Sequence, residues 1–170
     1  MKLKFLLLAI VMVFFSCSTV KMNSNVSSDF KDGKLDKLLV IFNGGKSKKI
    51  EDTFISAISS ELNKRSVGNE SLAVRPAMLN YDTIIKETEE KYNPNYIMNI
   101  NYIQIVTWTD GTAHASYAVT ITDKKNNYVV YSAGATLGIN MLTERSGGEK
   151  LAIKIINDLE KNNLIPAIQK

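Results

Sequence analysis

Residues 38 to 42, Leu-Leu-Val-Ile-Phe, are apolar without a break, and Asn43-Gly44-Gly45-Lys46-Ser47 follow at once. A half-exposed strand alternates apolar and polar residues. A run of strand length that is apolar at every position implies burial on both faces, in the middle of a sheet. Beyond the glycines, Ile50, Phe54, Ile55, Ile58 and Leu62 recur at helical spacing with charges between them. This predicts a helix from about Ser47 to Arg65, with Ser47 as N-cap and Glu51 and Asp52 near its positive end. Strand, glycine turn and helix begin a β-α-β unit, and they also outline a phosphate-binding loop, G-x-x-x-x-G-K-[ST]. Aligning Gly45-Lys46-Ser47 with the end of that motif puts Val40, a strand residue, where its first glycine must stand. The remaining loop is too short to wrap a di- or triphosphate, so no nucleotide is expected. The residues fit a tight turn in which Asn43, Gly44 and Gly45 allow positive φ, with weak anion binding at the helix N-terminus as the functional alternative.

Downstream, "SLAVRPAML" reads as a short second strand that Pro76 closes or pushes toward an edge. "YDTIIKETEEKY" is a second helix with Ile84, Ile85 and Tyr92 inward, ended by Asn93-Pro94-Asn95. The period then changes to two. Tyr96, Met98, Ile100, Tyr102, Val106 and Trp108 are expected on one face of a long strand, interrupted only by Gln104, and Asp110-Gly111 signals a hairpin. "HASYAVTIT" returns, "DKKNN" turns the chain again and "YVVYSAGAT" makes the last strand. A glycine-containing connection over 137–148 leads to a third helix, "EKLAIKIINDLEKNN", whose Leu151, Ala152, Ile155, Ile156 and Leu159 form a stripe. Right-handed crossovers make the first three strands parallel neighbours, and the hairpins add antiparallel strands at one edge. The expected fold is therefore α/β, β-α-β-α-β-β-β-α. Its mixed five-stranded sheet, order 2-1-3-4-5, is covered by helices within a single globular domain over 37–168.

The N-terminus reads as a targeting segment. Lys2 and Lys4 precede an apolar stretch from Phe5 to Phe15, of signal-peptide length and well short of the roughly 20 residues that span a bilayer. It ends in Ser16-Cys17, like the lipobox of bacterial lipoproteins, with Phe14 and Phe15 bulkier than the usual residues before the small one. The expectation is a signal peptide over 1–16 and a lipid on Cys17, which becomes the first mature residue. Cys17 is the single cysteine, so no intrachain disulfide can form. Of the 170 residues, 154 remain once 1–16 are removed, and losing two lysines lowers the formal charge from +4 to +2. No basic stripe marks a nucleic-acid binder. Residues 17–36, rich in Ser, Asn, Lys and Asp, read as a flexible tether.

The third strand opens Asn95-Tyr96-Ile97-Met98-Asn99-Ile100, and the second hairpin runs Asp123-Lys124-Lys125-Asn126-Asn127-Tyr128-Val129-Val130-Tyr131-Ser132-Ala133. With the lipobox and the element order, these segments resemble small bacterial periplasmic lipoproteins. The group includes the penicillin-binding-protein activator LpoB, the curli-secretion lipoprotein CsgG and the TolB N-terminal domain. Tyr131 stands where the group has Trp, and Asn126-Asn127 replace its Thr-Gly turn. The resemblance covers roughly residues 36–165. It implies a non-enzymatic protein that binds other envelope proteins or builds assemblies.

Catalytic constellations are sparse in the sequence. His114 is the sole histidine and reads as an exposed strand-end residue; no HExxH, CxxC or G-x-S-x-G occurs. Glu87, Glu89 and Glu90 lie beside lysines on a wet helix face, and Asp110 and Asp123 are turn formers. No enzyme, metal or cofactor is expected beyond the covalent lipid on Cys17. The aromatic residues of the three-strand part read mainly as core, with Trp108, Tyr102 and Tyr131 as the possible partner surface. The expected function is that of a lipid-anchored accessory lipoprotein facing the periplasm. It is held at the membrane, in the outer membrane if Ser18 after the cysteine sorts it there, and binds another envelope protein. A lipid- or small-molecule-handling auxiliary of a transport system, or a subunit of an envelope ring or secretion assembly, are the alternatives.

Overall fold

A computed structural model describes residues 20–30, 33–45, 47–75, 80–107, 113–139 and 144–168, with side chains omitted at 139, 144 and 145. Six strands and three α-helices are found among them. The strands are β1 (Val20–Val26), β2 (Lys37–Asn43), β3 (Gly68–Ala73), β4 (Tyr96–Thr107), β5 (Ala113–Asp123) and β6 (Tyr128–Ile139). The helices are α1 (Lys48–Lys64), α2 (Tyr81–Tyr92) and α3 (Glu144–Lys161). All strands join one mixed sheet in the order β1-β6-β5-β4-β2-β3. β2 pairs in parallel with β3 and β4, while β4-β5, β5-β6 and β6-β1 are antiparallel.

β2 occupies the interior as its composition requires. Leu38, Val40 and Phe42 point into the main core with α1 and α3, and Leu39 and Ile41 point the other way, toward α2. The α1 stripe of Ile50, Phe54, Ile58 and Leu62 is buried, and the Phe54 ring stacks on Phe42 with centroids 4.0 Å apart. Each such side chain contributes roughly 1.5–3 kcal/mol by leaving water. Ser47 caps α1, its Oγ accepting from the Ile50 N–H at 3.3 Å. Leu151, Ala152, Ile155, Ile156 and Leu159 of α3 are buried in the same core. On the opposite face α2 has no fully buried residue; Ile85 and Tyr92 pack half-buried around Leu39, Ile41 and Val74.

Four expectations are corrected. First, the α/β class holds, but the sheet has six strands rather than five, and its order is the one above rather than 2-1-3-4-5. The added strand, β1, lies inside the stretch 17–36 read as a flexible tether. Its Val20, Met22 and Val26 pack against the core, and Phe30 just beyond is buried and edge-on to Tyr96. β6 would otherwise expose an open edge, and β1 satisfies it through the full register from Val20↔Leu137 to Val26↔Tyr131. Second, β3 is Gly68–Ala73, earlier than the expected Ser71 start. Third, residues 144–148, expected in a loop, belong to α3. Gly148 there meets α1 backbone to backbone, and a Cβ on it would lie 2.2 Å from the Ile50 carbonyl oxygen. Fourth, β4 carries a bulge between Tyr102 and Gln104, which shifts its inward face from Tyr102 to Ile105 and turns Val106 outward.

Buried polar groups are paired. Glu51 accepts from Arg75 Nε at 3.0 Å, and Arg65 bridges Glu61 and Glu160 at 2.7 and 2.8 Å. The Glu61 carboxyl titrates below the usual carboxylate range because Lys64 and Arg65 donate to it. Asp123 closes the β5-β6 turn by accepting from the N–H groups of Lys125 and Asn126, and Asn127 takes the left-handed backbone there at φ 53°.

Candidate functional site

Two surfaces stand out once the layers are placed. The first is the outward face of the antiparallel part of the sheet. β6 directs Ser132, Gly134 and Thr136 there, β5 directs Ser116, Ala118, Thr120 and Thr122, and β1 adds Lys21, Asn23 and Asn25. α1 and α3 pack on the opposite side, and α2 sits over β2 and β3. A Cβ on Gly134 would meet no atom within 4 Å. The result is a platform of mainly small hydroxyl and amide side chains, with Lys21 at its β1 edge, on long, mutually paired strands.

The second surface is the hairpin end of β4. After the bulge, Ile103, Ile105 and Val106 are 60, 51 and 45 % exposed, the highest exposures among the large apolar side chains of β4. Ile105 pairs with Ala115 on the helix side of the sheet and Val106 pairs with His114 on the other. Neither Tyr102–Thr107 nor Ala113–Tyr117 contains an Asp, Glu, Lys or Arg.

Of the three residues expected to form a partner surface, the two that are described, Tyr131 and Tyr102, do not share an exposed surface. Tyr131 is 1 % exposed beneath α3, where its hydroxyl donates to Asp158 Oδ2 at 2.8 Å. Tyr131 is therefore a core residue and not part of a surface, and burial and the neighbouring carboxylate push its ionisation far up. Tyr102 is half-buried; its ring meets Tyr117 edge-on, with centroids 6.0 Å apart, and lies over the Gly44-Gly45 turn. Trp108, Asp110 and the anchor candidate Cys17 lie outside the described residues. His114 stays on the outward side of β5. Sequence reasoning missed the exposed Ile103-Ile105-Val106 group because it counted the alternation through Gln104 without a bulge. Two isoleucines flanking a glutamine in a strand that otherwise alternates were the available signal.

The glycine turn is shaped by packing. Gly45 holds φ +77° with its N–H donated to Asn43 Oδ1 at 3.2 Å, and a Cβ on it would lie 2.9 Å from the Tyr102 ring. A Cβ on Gly44 would lie 2.6 Å from Glu51 Cγ. Among the described residues no three His, Cys, Asp or Glu gather as a metal site, and no helix is long and apolar enough to cross a membrane.

No family model matches the chain, and no curated protein matches it. Among solved structures it is similar to a PelC dodecamer from Paraburkholderia phytofirmans, at 16% identity and TM-score 0.50, covering 88% of this chain and all of that one. It is also similar to a PDZ domain protein from Parabacteroides distasonis, at 12% identity and TM-score 0.46, covering 89% of this chain and 39% of that one. A DUF330 protein from Xanthomonas campestris matches at 11% identity and TM-score 0.39, over 75% and 83% of the two chains. At these identities the PelC likeness speaks for the fold alone.

Proposed function

We propose that this chain is a lipid-anchored accessory protein of the cell envelope, attached through Cys17, facing the periplasm and acting without catalysis by binding another envelope protein. The observation that carries the binding role is the uncovered platform around Ser116, Thr120, Ser132, Gly134 and Thr136. Small hydroxyl side chains on a paired sheet let a partner approach closely and offer donors and acceptors without large losses of rotamer freedom. The carboxylates that burial could activate are instead used in pairs within the fold, Glu51 with Arg75, Glu61 and Glu160 with Arg65, Asp158 with Tyr131. The test is in-cell crosslinking from position 120, on the same platform, followed by mass spectrometry of the captured proteins. Thr136→Arg is expected to abolish one specific capture while thermal unfolding stays unchanged. A Thr136→Arg chain that folds normally and keeps every captured neighbour would refute this binding face.

Self-assembly into a ring is the second reading, favoured by one observation: the PelC structure of like fold is a dodecamer. Native mass measurement of the detergent-extracted protein separates the two, since a strict monomer at high concentration excludes the ring.

A further inference from the structure

We infer that the hairpin end of β4, through Ile103, Ile105 and Val106, rests in the lipid surface to which the chain is anchored, so that the sheet stands on the membrane on this end. This rests on the lipidation of Cys17 proposed above. Val20, the first residue of β1, pairs with Leu137, Leu137 with Ala115, and Ala115 with Ile105. These four residues form one row across the sheet. Only Ser18 and Thr19 separate Cys17 from that row. Three residues reach at most about 10 Å even when fully extended, so an anchored Cys17 keeps Val20 within that distance of the lipid. Ile105 stands three strands away, about 14 Å to the side at the same height.

The direction of each strand gives the orientation. β1 and β6 are antiparallel, so the chain before Val20 leaves the sheet at the end where β6 runs on to Ile139 and pairs with Ala113. The β4-β5 ribbon likewise continues past the row, through Val106↔His114 to Thr107↔Ala113. Two further residues per strand carry it about 7 Å toward the anchor, into the zone that Cys17 itself can reach. A second observation selects lipid over a protein as the occupant. Ile105 faces the helix side and Val106 the opposite side, and Ile103 sits at the bulge just before them, 60 % exposed. A protein partner covers one side of a ribbon, whereas lipid surrounds it. Apart from the imidazole of His114, neither Tyr102–Thr107 nor Ala113–Tyr117 carries an Asp, Glu, Lys or Arg that has to be stripped of water on entry.

The chain beginning at Cys17 can be coupled through its single thiol to a maleimide-bearing lipid in phosphatidylcholine vesicles. A diazirine side chain is placed at position 105, or at position 129, where Val129 is 48 % exposed near the other end of β6. Photolysis is expected to yield phosphatidylcholine adducts at 105 at least tenfold above those at 129, with no loss in high salt because the contact is apolar. Equal yields at the two positions, or capture of a protein at 105 in cells, overturn the inference. Unchanged thermal unfolding of both labelled chains excludes misfolding as the cause. Because coupling supplies the anchor chemically, this outcome is independent of lipidation in the cell. A Cys17→Ser chain still found in the membrane fraction overturns the anchor reading instead.

Discussion

Replacing Gly148 with alanine adds one methyl group inside a helix, where intrinsic propensity alone favours alanine by about 1 kcal/mol. The new Cβ would stand 2.2 Å from the Ile50 carbonyl oxygen, 2.4 Å from Thr53 Oγ1 and 2.7 Å from the Phe54 backbone nitrogen. Two of these three neighbours are backbone atoms of α1 and cannot rotate away. Relief requires α1 and α3 to separate by about 1 Å, loosening the core that Phe54, Ile58, Leu151 and Ile155 share; overpacking of this kind costs about 1–3 kcal/mol and occasionally more. The clash therefore outweighs the propensity gain, and a net loss of about 2 kcal/mol is expected. For a domain of this size that lowers Tm by about 4–8 °C. The matched control is Gly134→Ala, the same added methyl in the middle of β6 with open space above it. It is expected to stabilise by about 0.4–1 kcal/mol by restricting the unfolded chain. Thermal and urea unfolding monitored by circular dichroism measure both. If Gly148→Ala unfolds at or above the temperature of the unmodified protein, the close α1–α3 approach is refuted.

Tyr131→Phe removes the hydroxyl that donates to Asp158 and is expected to cost about 1.5–3 kcal/mol in urea unfolding. Burial pushes the ionisation of both Tyr117 and Tyr131 above the ordinary tyrosine value of 10.0. The native state then holds protons that the unfolded chain releases, so stability is intact below pH 10 and declines as pH rises beyond it. Tyr131→Phe should make that decline shallower, and an unchanged slope in alkaline urea titrations contradicts it. Ser47→Ala deletes the N-cap of α1 and is expected to cost about 1 kcal/mol, read as a lower urea midpoint at constant slope. Gly45→Ala forces a Cβ into left-handed backbone against Tyr102 and is expected to lower stability by about 1–2 kcal/mol in the same assay.

The elements set by local pattern were legible and those set by distant partners were not. β2 is apolar at five successive positions, and burial on both faces follows from that alone. The stripe of α1 and the cap at Ser47 are similarly local. β1 is different: Val-Lys-Met-Asn-Ser-Asn-Val has a weak alternation within a polar stretch, and what makes it a strand is the edge of β6. The start of α3 was hidden because Gly147 and Gly148 look like loop residues. Gly147 closes against Leu137 of β6 and Gly148 against the α1 backbone, and both roles need the three-dimensional neighbours to be seen. For the candidate surfaces, aromatic residues drew attention to Tyr131, which lies on the sheet face that α1 and α3 cover and is buried there. The β4 bulge at Ile103 moved the exposed apolar group elsewhere, and a bulge adds one residue without a composition mark of its own.

The pairing of β1 with β6 joins residues that are far apart in synthesis. Val20 and Leu137 are 117 positions apart in the chain. At about 5–20 residues per second, β1 leaves the ribosome about 6–23 seconds before its partner. Throughout that interval the strand has nothing in its own chain to pair with, and β6, once made, presents a bare edge until β1 returns. The sheet is therefore completed last at the end where it begins, and nascent copies held close together are at risk of trading first strands.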